Sequence, residues 1–324
     1  MSKITYANIP GVAKPVSRIF FGTGGNDFLN GKNQNDLLDS IFALGINTLD
    51  TARQYGLSEN VIGDWLETRG RRDDVVILSK CGHHNLEDGT KRVNAAGIKE
   101  DLALSLESLK TDYIDMYILH RDDPDVAVDE LVETFNELNA AGKIGAFGGS
   151  NWTPARLDEA NEYAYKHNLI PFVISSPNFS LADPMVDDIW GGGSLSIAGT
   201  ANTADRNWHK KTQIATVTHS SLGRGFFSGK VKSSDYEIAD QLLDGFAMKS
   251  FHSAENFERL HRCEILAEKK HATVSQIALS WIFHQGLNLF SVVSTSSVAR
   301  MQTNIDALNL DLTEAECLYL NLEA

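Results

Sequence analysis

The stretch that decides the fold is GINTLDTARQYGLSENVIGDWL, which runs from Gly45 to Leu66. Its first residues predict a short buried strand that ends at Asp50, and its last residues predict a helix that begins at Ser58 and is capped by that serine. Tyr55 lies in the loop between them, five residues after the aspartate. A carboxylate and a phenol that leave one strand end are held in a fixed relation, as general acid/base work requires. The alternative is a buried aspartate that caps a loop, with a tyrosine packed over it.

The same unit, a short apolar run followed by an amphipathic helix, recurs along the whole chain. Eight runs are strand candidates: Val16–Gly22, Ile46–Asp50, Val75–Lys80, Tyr113–His120, Ile144–Asn151, Phe172–Ser176, Gln213–Ser220 and Leu289–Thr295. Helices are predicted over Asn33–Leu44, from Ser58, and over Ala96–Leu109, Val128–Ala141, Pro154–His167, Val274–Gln285 and Ser297–Leu308. A small hairpin from Ile4 to Ala13, within residues 1–15, precedes the first run.

Strands that alternate with helices pair in parallel, either in an open doubly wound sheet or in a closed barrel. The count of eight favours a (β/α)8 barrel formed by residues 1–324 as a single domain, with the N-terminal hairpin of residues 1–15 expected to cap the barrel. A doubly wound dinucleotide fold normally shows GxGxxG after its first strand, whereas Phe21–Asn26 read FGTGGN with no third glycine in register. The long segment 177–212 is predicted to be a loop over the active site.

Polar residues stand where the predicted strands end. Asp50 ends the second run, Lys80 the third, His120 the fourth, and Ser150 with Asn151 the fifth, although each run is otherwise apolar or small. The active site of a barrel lies at the C-terminal ends of its strands. These residues are therefore the candidates for chemistry.

Composition excludes several classes of function. The net charge of -14 over 324 residues argues against nucleic acid or an anionic membrane as the main partner. Cys81, Cys263 and Cys317 lack CxxC spacing, so neither a disulfide framework nor a structural zinc site is predicted, and a reducing cytoplasm fits best. The N-terminus has no signal-peptide core, and no run of about 18 apolar residues predicts a membrane span. A homo-oligomer is left open.

Six ordered motifs carry a resemblance to a known family: LDTARQYGLSE at 49–59, ILSKCG at 77–82, YILHR at 117–121, GGSNWT at 148–153, SSLGRGFFSGK at 220–230 and STSSVARMQTN at 294–304. Through them the chain resembles the aldo-keto reductase superfamily along essentially its whole length. The more distant relatives that it resembles are the bacterial open-reading-frame type reductases and the channel β-subunit branch, because the last motif lacks the lysine of the aldose reductase branch. The resemblance implies an NADPH-type cofactor lying extended across the barrel mouth.

The resemblance also implies a mechanism in which Tyr55 gives its phenolic proton to the alkoxide that forms from a carbonyl. A free phenol, with a pKa of about 10, is a poor acid near neutrality unless its anion is stabilised. Lys80 is expected to stabilise that anion, Asp50 to keep Lys80 charged and aimed, and His120 to orient the carbonyl oxygen. The alternatives are a structural buried ion pair and an ordinary core histidine.

The expected cofactor contacts follow by position. Gly22 and Thr23 are expected under the nicotinamide, with Asp50 beside it, and Ser150, Asn151 and Ser176 around its carboxamide. His219 is expected to stack on the nicotinamide, Ser220, Leu222, Gly225 and Lys230 to wrap the pyrophosphate, Ser296 and Arg300 to hold a 2′-phosphate, and Asn304 to contact adenine. Two departures affect the nicotinamide end: Ser176 replaces a glutamine and His219 replaces a larger aromatic residue.

The arginine at position 300 favours NADP(H), with NAD(H) as the alternative, since a guanidinium binds two phosphate oxygens at once. Two residues depart from the family pattern here: Ser294 replaces a Gly or Lys, and Thr303 replaces a Glu or Gln. The alternative for Arg300 is a solvated surface arginine.

A group of polar residues at the predicted barrel mouth predicts a polar carbonyl substrate such as a sugar or polyol derivative. The group comprises Asn26, Asp27, His83, His84 and Asn85 and the Asp-, Asn- and Trp-containing long loop. These residues could equally solvate loops. Two function classes follow: a carbonyl reductase that also runs as an alcohol dehydrogenase, and an NADP-binding regulatory sensor with little turnover.

Overall fold

The computed structural model describes residues 3–324, in which eight parallel strands close into a barrel. The barrel strands are β3 (Ile19–Gly22), β4 (Thr48–Asp50), β5 (Val76–Cys81), β6 (Ile114–Leu119), β7 (Ile144–Ser150), β8 (Ile174–Ser176), β9 (Ala215–Thr218) and β10 (Leu289–Val293), in the order β10-β3-β4-β5-β6-β7-β8-β9. The predicted (β/α)8 barrel is confirmed. Each strand falls within a predicted run or within one residue of its end.

The N-terminal hairpin pairs β1 (Tyr6–Ala7) with β2 (Val16–Ser17) in antiparallel register. Its second strand therefore lies beyond the predicted range Ile4–Ala13, and residues 1 and 2 of the predicted segment lie outside the described residues. Gly11 has φ +85, and an added Cβ there would lie 3.3 Å from the backbone of Ala146 in β7. Lys14 forms an ion pair of 2.9 Å with the buried Asp115 of β6, so the hairpin is tied to these two strands.

The helices alternate with the strands. They are α1 (Asn26–Leu29), α2 (Asn35–Ala43), α3 (Ser58–Arg69), α4 (Ala95–Ser108), α5 (Val128–Ala140), α6 (Pro154–Lys166), α7 (Thr203–Thr212), α8 (Gly245–Phe251), α9 (Ala254–Lys269), α10 (Val274–Phe283), α11 (Val298–Asp306) and α12 (Glu314–Leu320). Short 3₁₀ segments lie at Arg72–Asp74, Thr200–Asn202, Gly223–Gly225, Ser233–Gln241 and Ala307–Asn309. No helix within residues 3–324 has both the length and the apolar character needed to cross a bilayer.

Side-chain caps explain where several helices begin. Thr153 accepts a hydrogen bond from the Arg156 N–H with Pro154 at the first helical position of α6, and Thr273 forms a capping box with Gln276 at α10. The predicted cap at Ser58 is wrong. Ser58 is already the first residue of α3, whose N-cap is Leu57 without a side-chain bond.

The Ser58 hydroxyl points instead into the protein, where it donates to Thr23 Oγ1 at 2.7 Å and lies 3.1 Å from Thr51 Oγ1. A buried hydroxyl needs hydrogen-bond partners, and the Ser58 hydroxyl has them in Thr23 and Thr51 instead of in the backbone N–H groups at the start of α3.

Contacts divide the chain into two compact units. The N-terminal unit comprises Thr5–Ser176 with Ser294–Ser296, and the C-terminal unit comprises Pro177–Val293, Ser297–Ala324 and the described residues 3–4. The core of the N-terminal unit includes an aromatic cluster in which the rings of Phe135 and Phe147 lie 5.4 Å apart. That the chain is one barrel domain in the folding sense stays a prediction.

In the C-terminal unit the segment predicted as a long loop is shorter than expected, because its last ten residues form α7. The preceding part is anchored by Trp190, whose ring lies 3.7 Å from the Arg224 guanidinium. Arg224 also forms an ion pair of 2.7 Å with Asp244. A cation over an aromatic face and an ion pair together fix this segment.

Candidate active site

A buried ion pair forms the base of the site. Asp50, the last residue of β4, and Lys80 of β5 lie on neighbouring parallel strands, and the Lys80 Nζ donates to Asp50 Oδ1 at 2.7 Å. The same ammonium donates to the Thr51 carbonyl at 2.9 Å. Only 5% of Asp50 and 4% of Lys80 are exposed, so water does not screen the pair. Burial alone would lower the pKa of Lys80, but the charge of Asp50 and the hydrogen bonds to Asp50 and Tyr55 act against it, and the net pKa is raised.

Tyr55 lies directly beside this pair. The Lys80 Nζ is 5.0 Å from the centroid of the tyrosine ring, in the loop that follows β4. Burial raises the pKa of Tyr55, while the Lys80 ammonium acts in the opposite direction. The phenol is therefore protonated at neutral pH, next to a cation that stabilises its anion.

His120 follows β6 and faces the tyrosine. The two rings meet edge to face, with centroids 5.6 Å apart and planes at 75°. The main chain of His120 is fixed on both sides, because its N–H donates to the Cys81 carbonyl at 2.7 Å and its carbonyl accepts from Asn151 Nδ2 at 3.1 Å. The four residues predicted from the strand ends are thus brought into one cluster.

The ends of β7 and β8 form a second polar group. Ser150 Oγ donates to the Ser176 carbonyl at 2.8 Å, and Asn151 Nδ2 also donates to Ser150 Oγ at 3.1 Å. Asn151 adopts φ +62, a left-handed conformation that asparagine tolerates better than most residues. All three residues are buried at the strand ends.

The model of the aldo/keto reductase family matches residues 18–321, nearly the whole chain. The chain belongs to the aldo/keto reductase family. It is 30% identical over 287 residues to the aldo-keto reductase str7 of Strobilurus tenacellus, covering 86% of this chain and 77% of that protein. Two relatives come from Schizosaccharomyces pombe: a putative voltage-gated potassium channel subunit beta (27% identical, 88% and 82% covered) and the aldo-keto reductase yakc [NADP(+)] (25% identical, 93% and 86% covered). The sequence resemblance, including its channel β-subunit branch, is confirmed.

In this family member the expected nicotinamide contacts Gly22 and Thr23 lie at the end of β3. Gly22 pairs in register with Asp50, and the Thr23 hydroxyl donates to the Asp50 carbonyl at 2.9 Å. This hydrogen bond, made by a fully buried side chain, joins the end of β3 to the end of β4. The following Gly24 is exposed, and an added Cβ there would lie 3.6 Å from the Tyr55 ring. The absence of a side chain at this position leaves one side of the tyrosine open.

A cavity of about 280 Å³ lies in the N-terminal unit next to these residues. It includes Ser296, which is the residue of this unit expected to hold a phosphate. Its lining consists of Phe21, Gly25, Asn26, Asp27, Phe28, Gln34, Leu37, Ser294, Thr295 and Ser296. Ser294, one of the departures from the family pattern, is exposed at its rim.

The remaining expected cofactor residues belong to the C-terminal unit. After β9, His219 and Ser220 are half-buried, and the His219 carbonyl accepts from Asn178 Nδ2 at 3.1 Å. Leu222 is half-buried and Lys230 exposed, and Ser220, Gly223, Arg224 and Gly225 all have positive φ, as in the tight turns that direct backbone N–H groups at anions.

The residues of α11 expected at the adenosine end differ in exposure. Arg300 is exposed in the first turn, where its N–H donates to Ser297 Oγ at 3.3 Å. Asn304 is buried, and Thr303 donates its hydroxyl to the Ala299 carbonyl within the helix.

Sequence reasoning missed Glu59, a carboxylate that is 1% exposed behind the site. Ser79, the neighbour of Lys80 in β5, donates to Glu59 Oε1 at 2.6 Å, and Arg53 lies 3.5 Å from Oε2. Burial raises the pKa of Glu59. The available signal was strand alternation, which places Ser79 on the face of β5 opposite Lys80, where it needs a polar partner from a surrounding helix; that partner comes from α3, the helix before β5.

Proposed function

We propose that this aldo/keto reductase family member is an NADP(H)-dependent oxidoreductase that interconverts an aldehyde or ketone and its alcohol. The observation that carries the proposal is the buried Asp50–Lys80 ion pair beside the Tyr55 ring. A structural ion pair does not need a tyrosine in this place, whereas a proton donor of high pKa does need a cation near its anion.

The N-terminal unit fits a nicotinamide cofactor in two respects. Gly24 leaves one side of Tyr55 open, and the cavity near Ser296 has hydroxyl and amide groups on its wall. A bound nicotinamide supplies or accepts the hydride. The polar group of Ser150, Asn151 and Ser176 is our proposed holder of its carboxamide.

Side chains of the protein carry out the proton transfer. In the reductive direction the Tyr55 hydroxyl gives its proton to the oxygen of the carbonyl that is being reduced, and in the oxidative direction the phenolate takes it back. Lys80 stabilises the phenolate electrostatically, and Asp50 keeps the ammonium in place and charged. His120 donates a hydrogen bond to the carbonyl oxygen and orients it.

NADP(H) is the preferred cofactor in this proposal, with NAD(H) as the alternative. The exposed Arg300 suits a 2′-phosphate, and one relative carries NADP(+) in its name. We also propose a reducing, cytoplasmic location, which fits the three free thiols of Cys81, Cys263 and Cys317.

For the substrate we propose a polar carbonyl compound such as a sugar or polyol derivative. His83, His84 and Asn85 follow β5 and are half-buried next to the catalytic cluster. Activity on hydrophobic aromatic aldehydes with none on keto-sugars would exclude this substrate class.

A regulatory sensor that binds NADP with little turnover is the second candidate. One relative is named as a channel subunit, and Ser176, His219 and Thr303 depart from the family pattern. The complete set of Asp50, Lys80, Tyr55 and His120 favours the enzyme.

The deciding experiment uses wild type and Tyr55→Phe, which removes one hydroxyl and keeps the ring. Binding is followed by fluorescence titration with NADPH and NADH, and turnover by NADPH oxidation with a panel of aldehydes, ketones and keto-sugars. We expect equal NADPH binding by both proteins and turnover by wild type alone. Binding without turnover in both favours the sensor, and no binding by either refutes the proposed function.

A further inference from the structure

His83 is a histidine beside the catalytic cluster that the proposed mechanism does not use. Its ring meets that of His120 edge to face, with centroids 4.9 Å apart and planes at 71°. The His83 ring also contacts the His84 ring, with centroids 4.3 Å apart. Gly82, with φ +69, turns the chain between β5 and His83. The half-buried His83 imidazole is therefore in direct contact with the ring of His120, the residue proposed to orient the carbonyl.

The hydrogen-bonding role of each nitrogen of His83 follows from one contact. Its Nδ1 lies 2.9 Å from the main-chain carbonyl of His84. A carbonyl oxygen only accepts, so Nδ1 carries the hydrogen, and in the neutral ring Nε2 carries the lone pair. His83 thus offers a hydrogen-bond acceptor, whereas the mechanism requires His120 to offer a donor.

The charges around the ring favour its neutral form. Burial lowers the pKa of His83, and Arg121 and His84 lower it further, while the bond to the His84 carbonyl and the charge of Asp101 act against them; the net pKa is below its usual value. The other titratable group in ring contact with His83 is His120. At pH 7 and above, Nε2 is therefore an acceptor.

We propose that His83 is a specificity-determining residue whose Nε2 accepts a hydrogen bond from a hydroxyl on the carbon next to the reacting carbonyl. This inference rests on the proposed function and narrows its substrate class to 2-hydroxy carbonyl compounds. The His83 and His120 rings are in contact, with centroids 4.9 Å apart, so an acceptor from one and a donor from the other would suit a hydroxyl and a neighbouring carbonyl oxygen. A substrate without the hydroxyl leaves a partly desolvated acceptor unpaired, which is the kind of mismatch that polar sites reject strongly.

The test compares kcat/KM with NADPH for 2-hydroxypropanal and propanal, which differ by one hydroxyl. His83→Phe keeps an aromatic ring without an acceptor, and His83→Gln restores an amide oxygen. The control is His167→Phe, which makes the same substitution at an exposed histidine that stacks on Tyr163 with ring centroids 4.2 Å apart and has no assigned role. We expect His83→Phe to lower the preference for the hydroxy compound by about tenfold or more, His83→Gln to recover part of it, and His167→Phe to leave it unchanged.

The pH dependence of the preference for the hydroxy compound distinguishes a direct hydrogen bond from a purely structural role of His83, because a structural role would not change with pH in this way. Protonation turns Nε2 into a donor, so the preference is present above the pKa of His83 and declines as pH falls through it, in wild type but not in His83→Phe. An equal preference in His83→Phe and wild type overturns the inference while the proposed function stands. Absence of turnover of both compounds by wild type also overturns the inference, while turnover with the panel of aldehydes, ketones and keto-sugars decides the proposed function separately.

Discussion

Removing the Lys80 ammonium while keeping Asp50 leaves a carboxylate buried without its partner. Lys80→Met has nearly the same length and no charge, and the aspartate that remains is 5% exposed. Deleting one member of a buried pair destabilises a protein by about 3–5 kcal/mol, whereas neutralising both members is often close to neutral. We therefore expect Lys80→Met to be clearly less stable than the double variant Asp50→Asn/Lys80→Met.

The size of the effect can be expressed as a change in Tm. An unfolding entropy of about 2.1 cal/mol/K per residue over 324 residues gives about 0.7 kcal/mol/K. A loss of 3–5 kcal/mol then lowers Tm by about 4–7 °C, and the double variant should recover at least half of that loss. The matched control is Lys99→Met, which breaks the exposed ion pair with Glu137 (2.7 Å) and should change Tm by about 1 °C or less.

The assay is thermal unfolding by circular dichroism at one scan rate, at pH 5 and pH 8. Burial raises the pKa of Asp50, and the loss of Lys80 raises it further. The unfolded carboxyl releases its proton near pH 4 while the folded one retains it, so stability falls as pH rises from about 4 to the raised pKa and is constant above it. The deficit of Lys80→Met relative to the double variant should be larger at pH 8 than at pH 5. Equal Tm values for the two variants at pH 8 would refute the reasoning.

Two further predictions concern the barrel wall and the proton donor. Gly148→Ala in β7 should lower the free energy of unfolding by about 3 kcal/mol or more, because the added Cβ would lie 1.9 Å from a carbonyl oxygen of β8. The control is Gly245→Ala at the first position of α8, where an added Cβ has nothing within 4 Å and stability should not change. Equal Tm values for the two variants would contradict this prediction. Alcohol oxidation by the wild type should rise about tenfold per pH unit between pH 7 and 9, because it needs the phenolate of Tyr55, whose pKa is raised, while carbonyl reduction should stay flat; a flat oxidation profile would exclude Tyr55 as the base.

The sequence was most informative where local pattern and tertiary position coincide. Apolar runs predicted all eight barrel strands because strands buried on both faces are continuously apolar. The same runs located Asp50, Lys80 and His120, since a polar residue at the end of such a run has to lie at the barrel mouth. Ser58 is a counterexample. A serine at a helix start predicts a side-chain cap, but the Ser58 hydroxyl donates instead to Thr23, which is distant in the sequence.

By itself the sequence determined the strand count, the parallel architecture and the family, because all three depend on residue types in order along the chain. Only the tertiary structure decided which partners the buried polar groups take. The bond of Glu59 to Ser79 and the contact of the His83 ring with His120 join residues of different elements. Their distances and burial, and hence their protonation, arise when those elements pack, and no pattern within a single segment specifies them.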